Sequence, residues 1–313
     1  MKATVLSGGV GGARFLRGVI DVLTSDPAAD NTVSIIGNVG DDIDVLGLHV
    51  SPDLDSVLYA LAGLSDEERG WGRADESWRA LETVSALGGE AWFRLGDRDI
   101  GLHLMRTELL RAGTPLSEVT ARLARGLGLD CLLLPATDDP LRTFIETAAG
   151  TFAFQEWFVA RGHRDEADAV HYTGAVDARP APGVMEAIEA ADVIVIAPSN
   201  PYVSIAPILA VAPIRTALER RRVPCIAVSP IIGGRAVKGP ADRMLTRLAG
   251  GTDPAAVAGC YEGLIDVLVI DEADAPAALP SGVLAVVTKT LMVDAAARRT
   301  LALAVFDAAA AVA

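Results

Sequence analysis

From end to end the chain alternates short apolar runs with helical patterns, and this rhythm restricts the fold more than any other feature. "ATVLS" (3–7), "TVSIIG" (32–37), "CLLLPAT" (131–137), "DVIVIAPS" (192–199), "VPCIAVSP" (223–230), "VLVID" (267–271) and "LAVVT" (284–288) read as buried strands. Helical stretches separate them, near 12–23, 51–64, 75–88, 99–113, 115–128, 182–191, 212–221, 240–249 and 254–264, with a last helix from about 294. "SPDLDSVLYALAGL" opens with Ser51 at the N-cap and Pro52 in the first turn. Strands joined through helices need crossovers, so the expected fold is α/β: a Rossmann-like, mostly parallel sheet with helices on both faces. The helical run at about 53–128 reads as an insertion. "TFIETAAGTFAFQEWFV" has period-two apolar positions on both sides of "AAG", and "AVHYTG" follows, which predicts a small β-hairpin region at about 143–173. The expected organisation is one domain over 1–313, with its core at about 1–50 and 129–313.

Hydrophobic residues make up 51% of the 313, enough for a large core, and the net charge is −14. A chain-wide negative field opposes nucleic acid and anionic membrane surfaces. An anionic substrate then needs local help from a metal, backbone amides or placed cations. The three cysteines, Cys131, Cys225 and Cys260, form no CxxC pair, and no run of about 18 uncharged apolar residues is present. A reduced, cytoplasmic setting is the expectation, with neither nucleic acid nor membrane as partner.

The chemistry-bearing residues gather at strand ends. "LSGGVGGARFLRG" places Gly8, Gly9, Gly11 and Gly12 directly after the first strand, where backbone amides at a helix N-terminus favour anions. It is neither GxGxxG, because Arg14 stands at the third glycine position, nor a Walker A loop. A tight strand-to-helix turn is the plainer reading. "GNVGDDIDVLGLHVSPDLDS" (37–56) holds five aspartates and no lysine or arginine. It is either a solvated loop or a set of carboxylates around a cation. Asp41 and Asp55, on separate elements, are the candidate ligands for Mg²⁺, which takes one or two carboxylates and completes its shell with phosphate oxygens and water. "WFRLGDRDIGLH" (92–103) offers Arg94, Asp97, Arg98 and Asp99 at a helix start, as caps or as lining for a substrate crevice. His103 is read as packed or surface-exposed rather than catalytic. Two further strand ends carry Ser199 and Asn200, and Ser229, Gly233, Gly234 and Lys238, groups suited to a diphosphate.

Taken in order, "SGGVGGARFL", "GDD", "SPDLDSVLY", "RGWG", "LGDRD", "LLRAG", "FQEWFV", "APSNPYVSIAPIL" and "SPIIGG…VKGPAD" resemble the 2-phospho-L-lactate transferase family, called CofD in archaea and FbiA in actinobacteria, over nearly the whole chain. The resemblance implies a homodimeric transferase of coenzyme F-420 biosynthesis that requires Mg²⁺. Such an enzyme moves a phosphoenolpyruvyl or 2-phospho-L-lactyl group from a guanosine diphosphate-linked donor to the deazaflavin Fo and releases GMP. It carries the deazaflavin side onto Asp55 and Arg94, the metal onto Asp41 and Asp55, and the donor side onto the glycine turn and the SNP and SPIIGG loops. Nothing in the residues separates the two donors; the alanine- and arginine-rich composition tilts toward enolpyruvyl. A YvcK-like regulator that binds a nucleotide-sugar without transfer is the rival, and an NAD-dependent oxidoreductase is disfavoured by Arg14.

Overall fold

The computed structural model describes residues 1–26, 28–274 and 278–313. β1 (Lys2–Ser7) leads into α1 (Gly9–Leu23) and β2 (Thr32–Gly37). A short hairpin, β3 (Ile43–Val45) and β4 (Leu48–Val50), precedes the helical insertion: α2 (Pro52–Leu61), α3 (Arg79–Ala86), α4 (Asp97–Arg111) and α5 (Leu116–Gly126). β5 (Leu132–Pro135) rejoins the main sheet, and β6 (Arg142–Thr147), β7 (Gly150–Ala153) and β8 (Ala169–Thr173) form a small antiparallel one. The chain continues through α6 (Val184–Glu189), β9 (Val193–Ile196), α7 (Ala206–Ala210), α8 (Ala212–Glu219) and β10 (Cys225–Val228). A second short hairpin, β11 (Ile231–Ile232) and β12 (Arg235–Ala236), leads to α9 (Ala241–Ala249), α10 (Pro254–Gly259), β13 (Val267–Asp271), β14 (Leu284–Thr288) and α11 (Ala295–Val312).

The main sheet has seven parallel strands in the order β14-β13-β10-β9-β1-β2-β5. Its central strands are buried on both faces: every residue of β9, β10 and β13 is buried. That is why they read as unbroken apolar runs rather than alternations. Each fully buried Ile, Leu or Phe contributes about 1.5–3 kcal/mol. On one face α1 packs against α11 and α2. Gly18 allows the first contact, since a Cβ there would collide with the Arg298 carbonyl.

From β1 the order runs one way through β2 and β5 and the other way through β9 onward. The reversal lies between β1 and β9, and a crevice opens at their C-terminal ends, where open α/β sheets bind ligands.

Three local expectations fail, each for a physical reason. The helix expected near 12–23 starts at Gly9, so three of the four glycines belong to its first turns. "FQEWFV" is not a strand: β7 ends at Ala153, and Glu156–Ala160 form a π-helical turn. Its large side chains, Phe154, Trp157 and Phe158, stand at i, i+3 and i+4, a helical spacing that the alternation before them masked. The aspartate stretch contains the β3–β4 hairpin, joined by Leu46 and Gly47 at φ 54 and 77. Two left-handed central residues suit a primed turn, but "LG" lacks the usual Asn-Gly signal.

Candidate active site

The glycines of the first turn are required by close approach. A Cβ on Gly8 would collide with the Asp53 carboxylate, and one on Gly11 would lie 2.6 Å from the Pro198 carbonyl oxygen. Ser199 Oγ donates to the Gly8 carbonyl (2.7 Å) and accepts from the Gly8 amide (3.3 Å), locking the end of β9 to the start of α1. Asp53 sits against the Gly9 amide, so the positive end of the α1 dipole acts first on this carboxylate.

A cation does sit among the aspartates, and it comes from the insertion. Arg106 on α4 is fully buried and binds both oxygens of Asp55, one of them at 3.0 Å. Its NH1 also donates to His103 Nδ1 (3.2 Å), while His103 Nε2 lies 3.2 Å from Asp99 Oδ1, which accepts from the Tyr59 hydroxyl. Burial penalises the Arg106 charge, but Asp55 outweighs it and raises the guanidinium's proton affinity. Burial also pushes up the Tyr59 phenol, and the Asp55 and Asp99 charges add to it. For Asp99 burial is again the largest single influence, yet His103, Tyr59 and Arg106 together hold its carboxyl below the usual range.

Asp41 and Asp53 have no such partner. Asn38 Nδ2 reaches Asp53 Oδ2 (2.9 Å), Asp41 Oδ1 (3.4 Å) and the Val203 carbonyl (3.0 Å), and Gln155 Nε2 donates to Asp41 Oδ2 (3.0 Å). Burial raises both carboxyls, Asp41 well above the ordinary value with Asp53 and Asp42 adding to it, and Asp53 to about 6. Two buried carboxyls held only by amides retain a proton or take up a cation. The remaining two aspartates are separate. Asp42 accepts from Ser51 Oγ (2.9 Å) and pairs with His49 Nε2 (3.0 Å), so Ser51 occupies the N-cap position without using its hydroxyl as a cap. Asp44 is exposed.

Asp41, Asp53, Asp55, Tyr59, Asp99, His103 and Gln155 border a cavity of about 710 Å³. Of the residues singled out in the sequence, Gly9, Gly11, Asp41, Asp55, Arg94, Ser199, Asn200, Ser229 and Lys238 line it. Gly12 packs behind it against Ser7 and Ser199. Asp97 does not reach it: this carboxylate accepts from Ser77 Oγ (2.6 Å) and from the Ala80 (3.0 Å) and Arg79 (3.3 Å) amides, capping α3, and these bonds, Ser77's first, hold it below the usual carboxylate range. Arg98 is exposed, with only its backbone amide engaged, by Glu76 (2.8 Å). Gly233 and Gly234 give their amides to Asp274 (3.0 and 2.9 Å), so these two donors are already used.

Sequence reasoning missed Asn38, Asp53, Arg106 and Gln155, and set His103 aside. One signal was available: Asp99, His103 and Arg106 stand at i, i+4 and i+7, a polar stripe along one face of α4. A second feature is an aromatic wall. Arg94 lies over Trp78 (4.3 Å), Arg69 lies between Trp71 (4.7 Å) and Trp78 (5.1 Å), and Phe158 stacks between Phe154 (5.4 Å) and His163 (5.3 Å). Among the described residues, no three His, Cys, Asp or Glu side chains converge as a ready-made metal cage. The arrangement offers a carboxylate pair, nearby cations and planar apolar surfaces.

The chain is 47% identical over 283 residues to the phosphoenolpyruvate transferase of Streptomyces griseus, covering 88% of this chain and 87% of that one. It is 44% identical to the phosphoenolpyruvate transferase of Streptomyces coelicolor (94% and 93% covered) and 40% identical to that of Mycobacterium bovis (88% and 89%). Among solved structures, a UPF0052 family member from Bacillus halodurans superposes with a TM-score of 0.62 at 18% identity, covering 97% of this chain and 98% of that one, which supports the fold. The profile described as "2-phospho-L-lactate transferase CofD" matches residues 3–310, and the chain belongs to this family of transferases.

Proposed function

We propose that this transferase moves a phosphoenolpyruvyl group from a guanosine diphosphate-linked donor to a hydroxyl of the deazaflavin Fo, releasing GMP, in coenzyme F-420 biosynthesis. The observation that carries this reading is the buried Asp41–Asp53 pair at the sheet reversal, opening onto a cavity flanked by aromatic side chains and Lys238. The enolpyruvyl donor is preferred over the lactyl one because the curated relatives bear that name.

The fit to Mg²⁺ rests on the chemistry of that pair: two buried carboxylates whose proton affinity is raised and which, among the described residues, have no cationic side chain bonded to them. Both oxygens of Asp55 accept from Arg106, so the proposed ligands are Asp41 with Asp53 rather than Asp41 with Asp55. When bound, the ion supplies charge neutralisation to diphosphate oxygens. The chain's own residues do the positioning. Ser199, Ser229 and Lys238 meet the donor, and Arg94 with the aromatic wall holds the acceptor ring. Asp55, fixed by Arg106, accepts the hydrogen bond of the attacking hydroxyl. In-line attack forms the new P–O bond and breaks the bond to the bridging oxygen. GMP leaves with that electron pair, and the hydroxyl proton passes to water. Positioning and charge neutralisation supply most of the catalysis in such transfers.

Incubation with Fo, Mg²⁺ and each donor separately, followed by product mass and GMP release, tests the reading. Product with the enolpyruvyl donor is expected, and absence of product with either donor ends it. A nucleotide-binding regulator of this fold would not bind Fo, so titration with Fo separates the rival. Asp53→Asn and Asp41→Asn should each abolish transfer while the protein stays folded.

A homodimer and a cytoplasmic setting belong to the same proposal. The edge strand β14 and the segment after it leave Leu284, Val287, Leu291 and Val293 exposed, which light scattering can relate to assembly. Among the described residues, no single helix is long and apolar enough to cross a membrane; the bent pair Pro201–Ala210 and Ala212–Glu219 passes on composition alone.

A further inference from the structure

Three cations on the cavity wall, Arg14, Arg94 and Lys238, have no carboxylate partner among the described residues, and of these Arg94 lies over the Trp78 ring. Arg14 on α1 donates only to the Glu67 carbonyl (3.4 Å), and Lys238, just after β12, forms no ion pair. Both touch one turn of the insertion: Arg14 donates to the Glu67 carbonyl and the Lys238 ammonium lies against Gly70; partial burial and then the Arg14 charge lower the proton affinity of Lys238. In a protein of net charge −14, two like charges held on one wall carry an unfavourable Coulomb term that a bound anion would relieve.

Their placement selects the anion. Asp53 abuts Gly8 and Gly9 at the start of α1. Arg14 is on the same helix, about 7.5 Å further along at 1.5 Å per residue from Gly9, and helical side chains lean back toward the N-terminus. The Lys238 ammonium lies against Gly70, where any Cβ would collide with it, so a glycine of the insertion admits the lysine to this wall. A carboxylate pair at one end of the first turns of α1 and two free cations at the other suit an elongated polyanion lying along that helix.

We infer that Arg14 and Lys238 are a clamp for the leaving group. They hold the nucleotide-side phosphate and neutralise the charge that gathers on the bridging oxygen as its bond to the transferred phosphorus breaks. The inference rests on the proposed function for its substrate and adds Arg14, which no sequence motif assigned to the chemistry. Bonds and charges balance as in the transfer above: the bridging oxygen keeps the electron pair and leaves on GMP. Arg14 contributes several directional donors and Lys238 a point charge, so the two are not interchangeable.

The test uses the full chain with Arg14→Gln, Arg14→Lys, Lys238→Gln and Gly70→Ala. In wild type, inorganic diphosphate with Mg²⁺ should raise the Tm; Arg14→Gln and Lys238→Gln should lose most of that shift. In turnover, Arg14→Gln should lower kcat by about 10²–10³-fold with the KM for Fo unchanged, the scale of one transition-state charge donor. Arg14→Lys should recover part of it, and Gly70→Ala should act like a weak Lys238 variant by displacing the ammonium. Wild-type Tm shift and wild-type kcat in Arg14→Gln would overturn the clamp. If wild type itself released no GMP, the proposed function would fail, and the diphosphate shift alone would decide whether the clamp stands.

Discussion

Asp55 and the Asp41–Asp53 pair come from one aspartate-rich stretch and are buried alike, at 4%, 4% and 7% exposure, yet their surroundings are opposite. Asp55 has a buried guanidinium on both oxygens, while Asp41 and Asp53 have amides only. Burial therefore does not distinguish a structural carboxylate from a reactive one; the charge of the neighbour does. A carboxylate neutralised by arginine is held as a fixed hydrogen-bond acceptor. An amide-held pair has an open requirement for positive charge, which a proton meets at low pH and the proposed Mg²⁺ would meet at neutral pH.

The largest effect should come from breaking the satisfied half. Arg106→Met leaves Asp55 buried without its cation and should cost about 3–5 kcal/mol in urea denaturation. The double variant with Asp55→Asn should recover much of that loss; simple additivity of the two single variants would show that the pair is not coupled. The next effect sharpens the unsatisfied half. The folded-state pKa of Asp53 is raised to about 6, so the folded protein holds more protons than the unfolded chain between about pH 4 and pH 6. Its contribution is present below that window and is lost as pH rises through it, on the order of 2–3 kcal/mol in metal-free protein. Asp53→Asn should flatten this slope. Mg²⁺ should raise the Tm of wild type at pH 8 and leave it nearly unchanged at pH 5; an equal shift at both would separate the ion from the pair.

A smaller loss, about 1–3 kcal/mol, is expected for Gly8→Ala, whose Cβ must displace Asp53 or Ser204. It should also weaken the Mg²⁺ response, unlike a Gly→Ala change at Gly101, where a Cβ meets nothing within 4 Å. The smallest effect belongs to Asp97→Ala, which removes an exposed cap of α3. It should lower the Tm slightly with kcat and KM unaltered; a marked fall in kcat would bring Asp97 back into the site.

Much of the sheet was legible because its central strands are buried on both faces and must be continuous apolar blocks. The glycine cluster, the serines after β9 and β10, and Arg94 were legible as cavity residues because ligand-facing groups sit at strand ends. The β3–β4 turn and the π-turn after β7 were not, since one uses an untypical dipeptide and the other follows a convincing alternation. Arg106 was hidden by distance in the chain. It lies 51 residues from Asp55, and no local rule links a helix in the insertion to the first turn of α2.

The order of residues alone determined an α/β sheet, a crevice at its β1 end and an excess of carboxylates there, because periodicity and turn chemistry are local properties. Which aspartate meets Arg106, which two share Asn38, and that Arg14 and Lys238 meet at one turn of the insertion were decided only by tertiary packing. Coulomb and desolvation energies depend on distances between segments far apart in the chain, and those distances exist only once the insertion and the small sheet have closed over the crevice.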